Sequence, residues 1–310
     1  MSAKDKLIMR IDTLKETLKL SQTINTTAGD SLQNRTATLI RKGLGIVAFN
    51  ILEDFIKERT NEMFVSVSSS LATFGMLPDE LREAATLGAI KGLAARAILT
   101  KKEQGDWINL IQLEALKINS TAQSSRYDIS GLSLMSEGSN IYATDIPKAL
   151  KCLNIDGGWS TLQEISLLIN GGIPSLAQSF SNISSRRHKA AHVANFDYEH
   201  GWLQESINEI LAISCTFDIA LTAGCRKLHK KPHISLGKTR LENEIKCRFL
   251  IHNPNIGMYH EKTSPTATRS VKNWNNYQSA VQILVPRCLR DDQYLIVLNS
   301  QSRISNWYCV

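Results

Sequence analysis

No two of the six cysteines are close enough in sequence to make a Cys-x-x-Cys pair: Cys152, Cys215, Cys225, Cys247, Cys288 and Cys309 are scattered along the chain. That scatter excludes a compact zinc finger and argues against a disulfide framework, so the six read as free thiols in a reducing compartment. No apolar run approaches the roughly 18 residues of a membrane span. The opening Met1-Ser2-Ala3-Lys4-Asp5-Lys6 also lacks the apolar core of a secretory signal, so a cytoplasmic protein without a membrane partner is expected. There is no internal repeat, no low-complexity tract and no recognisable nucleoside-triphosphate loop. With 43% hydrophobic and 21% charged residues in 310, the chain has the means to bury a core, and disorder is not indicated.

The charge is unevenly placed. Residues 226–310 hold 14 Lys and Arg against 5 Asp and Glu, a balance of +9. The chain totals of 36 and 29 then leave 22 against 24 for residues 1–225, a balance of −2. A basic C-terminal segment suits a polyanion such as RNA, although a solvated basic face without a partner explains the same excess.

Helical spacing dominates up to about residue 228. Leu7, Ile11, Leu14 and Leu18 predict an amphipathic helix over residues 4–20, and a long helix follows from Ser31 to about Phe64, its first half weakened by Gly43 and Gly45. Pro78-Asp79-Glu80 reads as the first turn of another helix, and Asp106 as the cap of one ending near Ile118. The Ser/Gly-rich span from Ser120 to Asn140 reads as a long connection. Asp145 before Pro147 marks a further start, Ser160 with Gln163 reads as a capping box, and Gly171-Gly172 as a stop. Tyr198 to about Leu228 is the strongest helix, with Trp202, Ile207, Ile210, Leu211, Ile213, Phe217 and Leu221 on one face. Beyond Pro232 the segments Lys246–Ile251, Ala280–Val285 and Tyr294–Leu298 are short, β-branched or aromatic, and bounded by turn residues, which predicts strands.

The chemistry concentrates in Ser184-Ser185-Arg186-Arg187-His188-Lys189-Ala190-Ala191-His192. RNA carries its own nucleophile, the 2′-hydroxyl. Cleavage therefore needs a base for that proton, an acid for the leaving oxygen and positive charge for the phosphorane. Histidine ordinarily titrates near neutral pH, and a guanidinium grips phosphate oxygens bidentately, so Arg187 and His192 are the catalytic candidates. Arg186, His188 and Lys189 are candidates for supporting or phosphate-binding roles. A hydroxyl at Ser184 or Ser185 can cap the helical turn that carries the motif. Arg226 and His233 show a similar spacing, but they flank Lys230-Lys231-Pro232, which reads as a helix exit and linker.

Arg187, a polar residue, three more residues and His192 resemble the signature of the HEPN superfamily, helical proteins with a metal-independent ribonuclease site. The resemblance implies a HEPN-like helical bundle over residues 1–229, followed by a small basic β or α+β extension over 230–310. It also implies cleavage that leaves 2′,3′-cyclic phosphate and 5′-hydroxyl ends without metal or other cofactor. Family members often serve as toxins or antiviral effectors, so an antitoxin or regulatory protein is an implied partner beside RNA. Five positions of uninterrupted helix turn through about 500°, which leaves Arg187 and His192 well over 100° apart. The family answer is a homodimer whose two motifs share one cleft.

Blander readings stand beside these. Arg186, Arg187 and Lys189 can be an ordinary solvated basic turn. His188 and His192 share a helical face and, with Glu199 and His200, offer metal ligands, but the Glu that follows the first histidine of a zincin helix is missing. Asp197 and Glu199 can orient His192, although Asp197 reads better as a helix cap. In the extension Trp274, Tyr277 and Lys272 are candidate RNA contacts through stacking and charge, and the aromatics there, Phe249, Tyr259 and Tyr294 included, serve equally to fill a small β core. The other functional class is a non-catalytic helical module that binds RNA or a protein.

Overall fold

The helical period of the N-terminal part becomes helix in the computed structural model, which describes residues 1–27, 29, 31–123, 126–135, 140–230, 241 and 244–309. Helix α1 (Ala3–Leu18) opens on a reciprocal cap, with Ser2 Oγ accepting from Asp5 N and the Asp5 carboxylate accepting from Ser2 N, and buries Leu7, Ile11, Leu14 and Leu18. Helix α2 (Leu32–Ser68) runs unbroken through both glycines. Gly45 is required there, because a Cβ would lie 2.2 Å from the ring of Tyr198.

After Pro78, helix α3 (Asp79–Glu83), a π-helical turn (Ala84–Gly88) and helix α4 (Ala89–Lys102) follow without interruption. Asp106 caps helix α5 (Trp107–Ser120), accepting from Asn109 N at 3.0 Å, as its sequence predicts. Helices α6 (Asp145–Lys151), α7 (Trp159–Leu168), α8 (Leu176–His192) and α9 (His200–Lys230) complete the helical part. The capping box expected at Ser160 is not formed. Helix α7 starts at Trp159, so Ser160 lies inside it, and Ser160 Oγ donates to Gly157 O at 2.9 Å where a box would have it accept from Gln163 N. Gln163 is occupied elsewhere, donating to Ile173 O and accepting from Leu176 N, both at 2.9 Å. It pins the turn that leads into α8.

The C-terminal segment forms a mixed sheet from β1 (Cys247–Asn253), β2 (Met258–Lys262), β3 (Lys272–Trp274), β4 (Tyr294–Leu298) and β5 (Ile304–Tyr308), in the order β3-β2-β1-β4-β5. β1 and β4 match two of the predicted strands. They pair in parallel, which demands a crossover, and helix α10 (Tyr277–Arg290) supplies it. The predicted strand Ala280–Val285 is therefore the middle of a helix. Asn276 caps it by accepting from Ser279 N at 3.0 Å, and Ala280, Leu284 and Cys288 recur every four residues on its buried face. The chain is thus mainly helical with a small five-stranded mixed sheet near its C-terminus.

By spatial clustering the chain packs as two units, one of Met1–Phe55, Leu162–Thr216 and Ile245–Val310, the other of Ile56–Thr161 and Phe217–Glu244. Helix α9 ends at Lys230, one residue past the expected boundary, and Pro232 and His233 lie outside the described residues. In the first unit Phe49 meets Phe180 edge-on with centroids 5.8 Å apart, and Phe55 meets Trp307 at 6.4 Å. In the second, Arg59 Nε donates to Asp218 Oδ1 at 2.6 Å, and Tyr127 Oη donates to Ala72 O at 3.1 Å. Among the described residues no disulfide joins the cysteines; burial pushes the thiols of Cys152 and Cys247 up to about 12, which removes both as nucleophiles.

Under α10, Leu250, Trp274, Ala280, Leu284, Cys288, Leu295 and Val297 form a core around one fully buried acid, Glu261. Its carboxylate receives Arg287, lies 3.5 Å from Arg248 Nη1 and accepts from Trp274 Nε1 at 3.3 Å. Removing one partner from a buried ion cluster strands the others, a loss of about 3 kcal/mol. Glu261→Ala is expected to lower unfolding stability by about that amount in urea titration; an unchanged midpoint contradicts this account of the sheet.

Candidate active site at the end of helix α8

Ser175 caps α8 by accepting from Gln178 N at 3.3 Å, and the helix buries Leu176, Ser179, Phe180, Ile183 and Ala190. Ser184 and Ser185 therefore sit inside the helix, more than two turns from its start, and cap nothing. The apolar spacing of Leu176, Phe180 and Ile183 carries the helix back to Ser175, just after Pro174. At its other end α8 stops at His192, where Val193 N donates to Lys189 O at 2.8 Å.

The inward stripe decides where the motif points. Arg187 lies four residues after Ile183 and three before Ala190, and is half-buried; His188, Lys189 and His192 are exposed. His188 and His192 stand one turn apart on the outer face with ring centroids 4.7 Å from each other. Arg187 and His192 are thus on different faces of one helix, about 140° apart by helical geometry. The structure brings the two imidazoles together on the outer face.

Arg186 turns toward α9. Its guanidinium lies 5.1 Å above the Trp202 ring, and its Nη1 is 3.9 Å from Glu209 Oε2. Burial pushes the Glu209 carboxyl above its usual range, against the opposing pull of Ser179 and Arg186. Glu209 escapes a reading of the sequence because it lies in a long, largely apolar helix. The available signal is an acid seven residues after Trp202, on the face that packs.

The loop after His192 is held by α2. Lys42 Nζ donates to Val193 O at 2.9 Å and to Ala194 O at 3.0 Å. Arg41, 2% exposed, donates through Nε to Tyr198 O at 2.6 Å, through Nη2 to Asp197 Oδ1 at 3.0 Å, and through Nη1 to Thr23 O and Asn25 Oδ1. Asp197 also accepts from Thr38 Oγ1 at 3.1 Å. It is therefore an anchor for this loop, neither the cap of α9 nor an orienter of His192. Glu199 is exposed, and His200 Nε2 lies 3.1 Å from Leu18 O. Among the described residues, no group of three or more His, Cys, Asp or Glu side chains is placed to hold a metal ion.

The candidate RNA contacts of the C-terminal segment divide. Trp274 is 7% exposed and belongs to the sheet core, and Tyr277 is half-buried with its hydroxyl 3.0 Å from that of Tyr308. Trp274 therefore offers no free face to a base. Phe249 and Tyr294 are buried likewise, so the aromatics fill the core. Lys272 is exposed, its Nζ 4.0 Å above the Trp274 ring. Arg248 and Arg287 are committed to Glu261, and Arg303 Nη1 donates to Gly172 O at 2.7 Å.

Comparison with protein-family models, with curated proteins and with solved structures returns no match to this chain.

A raised carboxyl pKa means that the folded state holds its proton more tightly than the unfolded chain. Stability then falls as pH rises from the unfolded value, about 4.5, through the raised folded value. Thermal unfolding followed across that range is expected to show this decline in the wild type and a flatter profile in Glu209→Gln. Parallel profiles would contradict the burial cost assigned to Glu209.

Proposed function

We propose that the chain is a metal-independent endoribonuclease of HEPN-like character, with His192 as general acid/base at the open end of α8. The observation that carries this reading is the exposed pair of imidazoles, His188 and His192, 4.7 Å apart beside Lys189. Transesterification needs one group to accept the 2′-hydroxyl proton and one to protonate the 5′-oxygen, and two adjacent imidazoles in opposite protonation states provide both. Lys189, exposed between them in sequence, supplies positive charge for the phosphate. Arg187, half-buried on the inner stripe, serves as phosphate ligand when a second motif shares the cleft. Products carry 2′,3′-cyclic phosphate and 5′-hydroxyl ends. Toxin or antiviral action, and control by an antitoxin or regulatory protein, belong to this proposal through the family resemblance.

A second reading, a non-catalytic interaction module, is favoured by the α4 and α5 pair. Helix α5 has no buried residue, and Ile90, Ile98 and Leu99 on α4 with Ile108, Leu113 and Leu116 on α5 are all exposed. Apolar exposure on that scale marks surfaces that bind other proteins.

Purified protein incubated with total cellular RNA in EDTA separates the two. The wild type is expected to cleave and leave cyclic phosphates, His192→Ala to lose about 10²–10⁴-fold in rate, and Arg187→Ala to fall with it. Equal cleavage by all three overturns the site. RNA binding that survives His192→Ala, with no cleavage by the wild type, supports the interaction module.

A further inference from the structure

A cavity of about 430 Å³ lies wholly within the unit of Ile56–Thr161 and Phe217–Glu244. That volume falls in the range of small-molecule sites. One wall is the continuous run of α3, the π-helical turn and α4, which contributes Glu80, Glu83, Leu87 and Lys91. Helix α6 forms a second wall with Asp145, Lys148 and Lys151, and residues 133–135 form a third.

The walls are built with irregular backbone and an unmet polar group. A π-helical turn is rare and recurs at functional sites. Its last residue, Gly88, admits the third wall, because a Cβ there would lie 2.7 Å from Ser133 O. Met135 is held at φ 58°, in the left-handed region that a residue with a side chain seldom adopts. Ser133 is 4% exposed, and its hydroxyl meets no hydrogen-bond partner among the described residues. A buried hydroxyl left unsatisfied calls for a partner that the chain does not supply.

The charges are unmet in the same way, and they are separated. Asp145 accepts from Tyr142 N at 2.8 Å and pairs with Lys148 at 3.4 Å, so these two neutralise each other. Among the described residues Glu80, Glu83, Lys91 and Lys151 form no ion pair, although all four line the one cavity. Gly88 abuts Ser133 and Lys91 follows one turn later on α4, so Lys91 and Ser133 share one end. Cys152 Sγ lies 3.9 Å from Glu80 O, which sets Lys151 and the end of α6 beside the acids at the other. That end holds two carboxylates against one ammonium. Glu83 and Lys91 are eight residues apart, roughly 12 Å along the helix. Leu87, Leu134 and Met135 give the stretch between them an apolar lining.

The order along the cavity is an ammonium with a spare hydroxyl, an apolar middle and a pair of carboxylates. A matching ligand carries an anion, a flat ring and N–H donors in that sequence, and the carboxylates repel its anion, which fixes its direction. Lysine binds phosphate as a point charge. We propose that this cavity binds a nucleoside 5′-monophosphate with an amino-bearing base: phosphate on Lys91 and Ser133, base against Leu87 and Met135, exocyclic amine donating to Glu80 or Glu83. The site is independent of the nuclease reading, since no residue of α8 or of the sheet takes part.

The full chain is titrated by calorimetry with AMP, UMP, adenosine, ribose 5-phosphate and inorganic phosphate. The titrations are repeated with Lys91→Ala, with Glu80→Ala/Glu83→Ala and, as control, with Lys102→Ala on the same helix outside the cavity. AMP is expected to bind once per chain and at least tenfold more tightly than the other four. Lys91→Ala weakens AMP at least tenfold and leaves adenosine unchanged, the double variant brings AMP down to the level of UMP, and Lys102→Ala changes nothing, all with wild-type circular dichroism. Absence of saturable AMP binding overturns the proposal, as does equal AMP affinity in wild type and Lys91→Ala. Ribose 5-phosphate or inorganic phosphate binding as tightly as AMP places no base in the cavity and overturns it as well.

Discussion

The buried guanidinium of Arg41 is the constraint from which the arrangement of the site follows. An arginine at 2% exposure is tolerable only when its donors are satisfied, and the partners come from three stretches far apart in sequence: Thr23 and Asn25, Thr38 on its own helix, and Asp197 with Tyr198. Each contact is charge-assisted, so each is among the stronger hydrogen bonds available to the chain. Arg41 thereby fixes the α1–α2 connection and the α8–α9 connection to a single point on α2. Lys42 extends the same clamp to the carbonyls just past His192.

From that clamp the chemistry of α8 follows. The helix is free to choose which stripe to bury, and Leu176, Phe180, Ile183 and Ala190 decide it. The choice turns Arg187 inward and His188 and His192 outward. Arg186 is pulled away from solvent by Trp202 and Glu209, so the basic run Arg186-Arg187-His188-Lys189 is not one patch. It splits into an anchoring arginine, a half-buried arginine and an exposed face of two imidazoles and a lysine.

Much of the helical part was legible in the sequence because period and caps agree there: Leu7 to Leu18 and the Asp106 cap are examples. What failed, failed for identifiable reasons. Ser184 and Ser185 look like caps because hydroxyls favour helix starts, yet an apolar stripe upstream overrode that preference. Ala280–Val285 is rich in branched residues, but a parallel β1–β4 pair needs a crossover, and the four-residue recurrence of Ala280, Leu284 and Cys288 suits a helix. Strands β2 and β5 escaped because each is only half-buried and mixes polar with apolar residues. Arg41 and Glu209 were invisible because their meaning lies in partners from other parts of the chain. At the site, the residue types were legible and their facing was not.

The account stands on the outer face of α8 meeting RNA. The direct measurement is a titration of histidine-labelled protein with a short 2′-O-methyl RNA, which binds but cannot be cut, followed through the imidazole resonances by NMR. The account predicts that the His188 and His192 signals move together and saturate at one RNA concentration, while those of His252 and His260 in the sheet stay in place. Movement of the sheet histidines with His188 and His192 unchanged would place RNA elsewhere and contradict it.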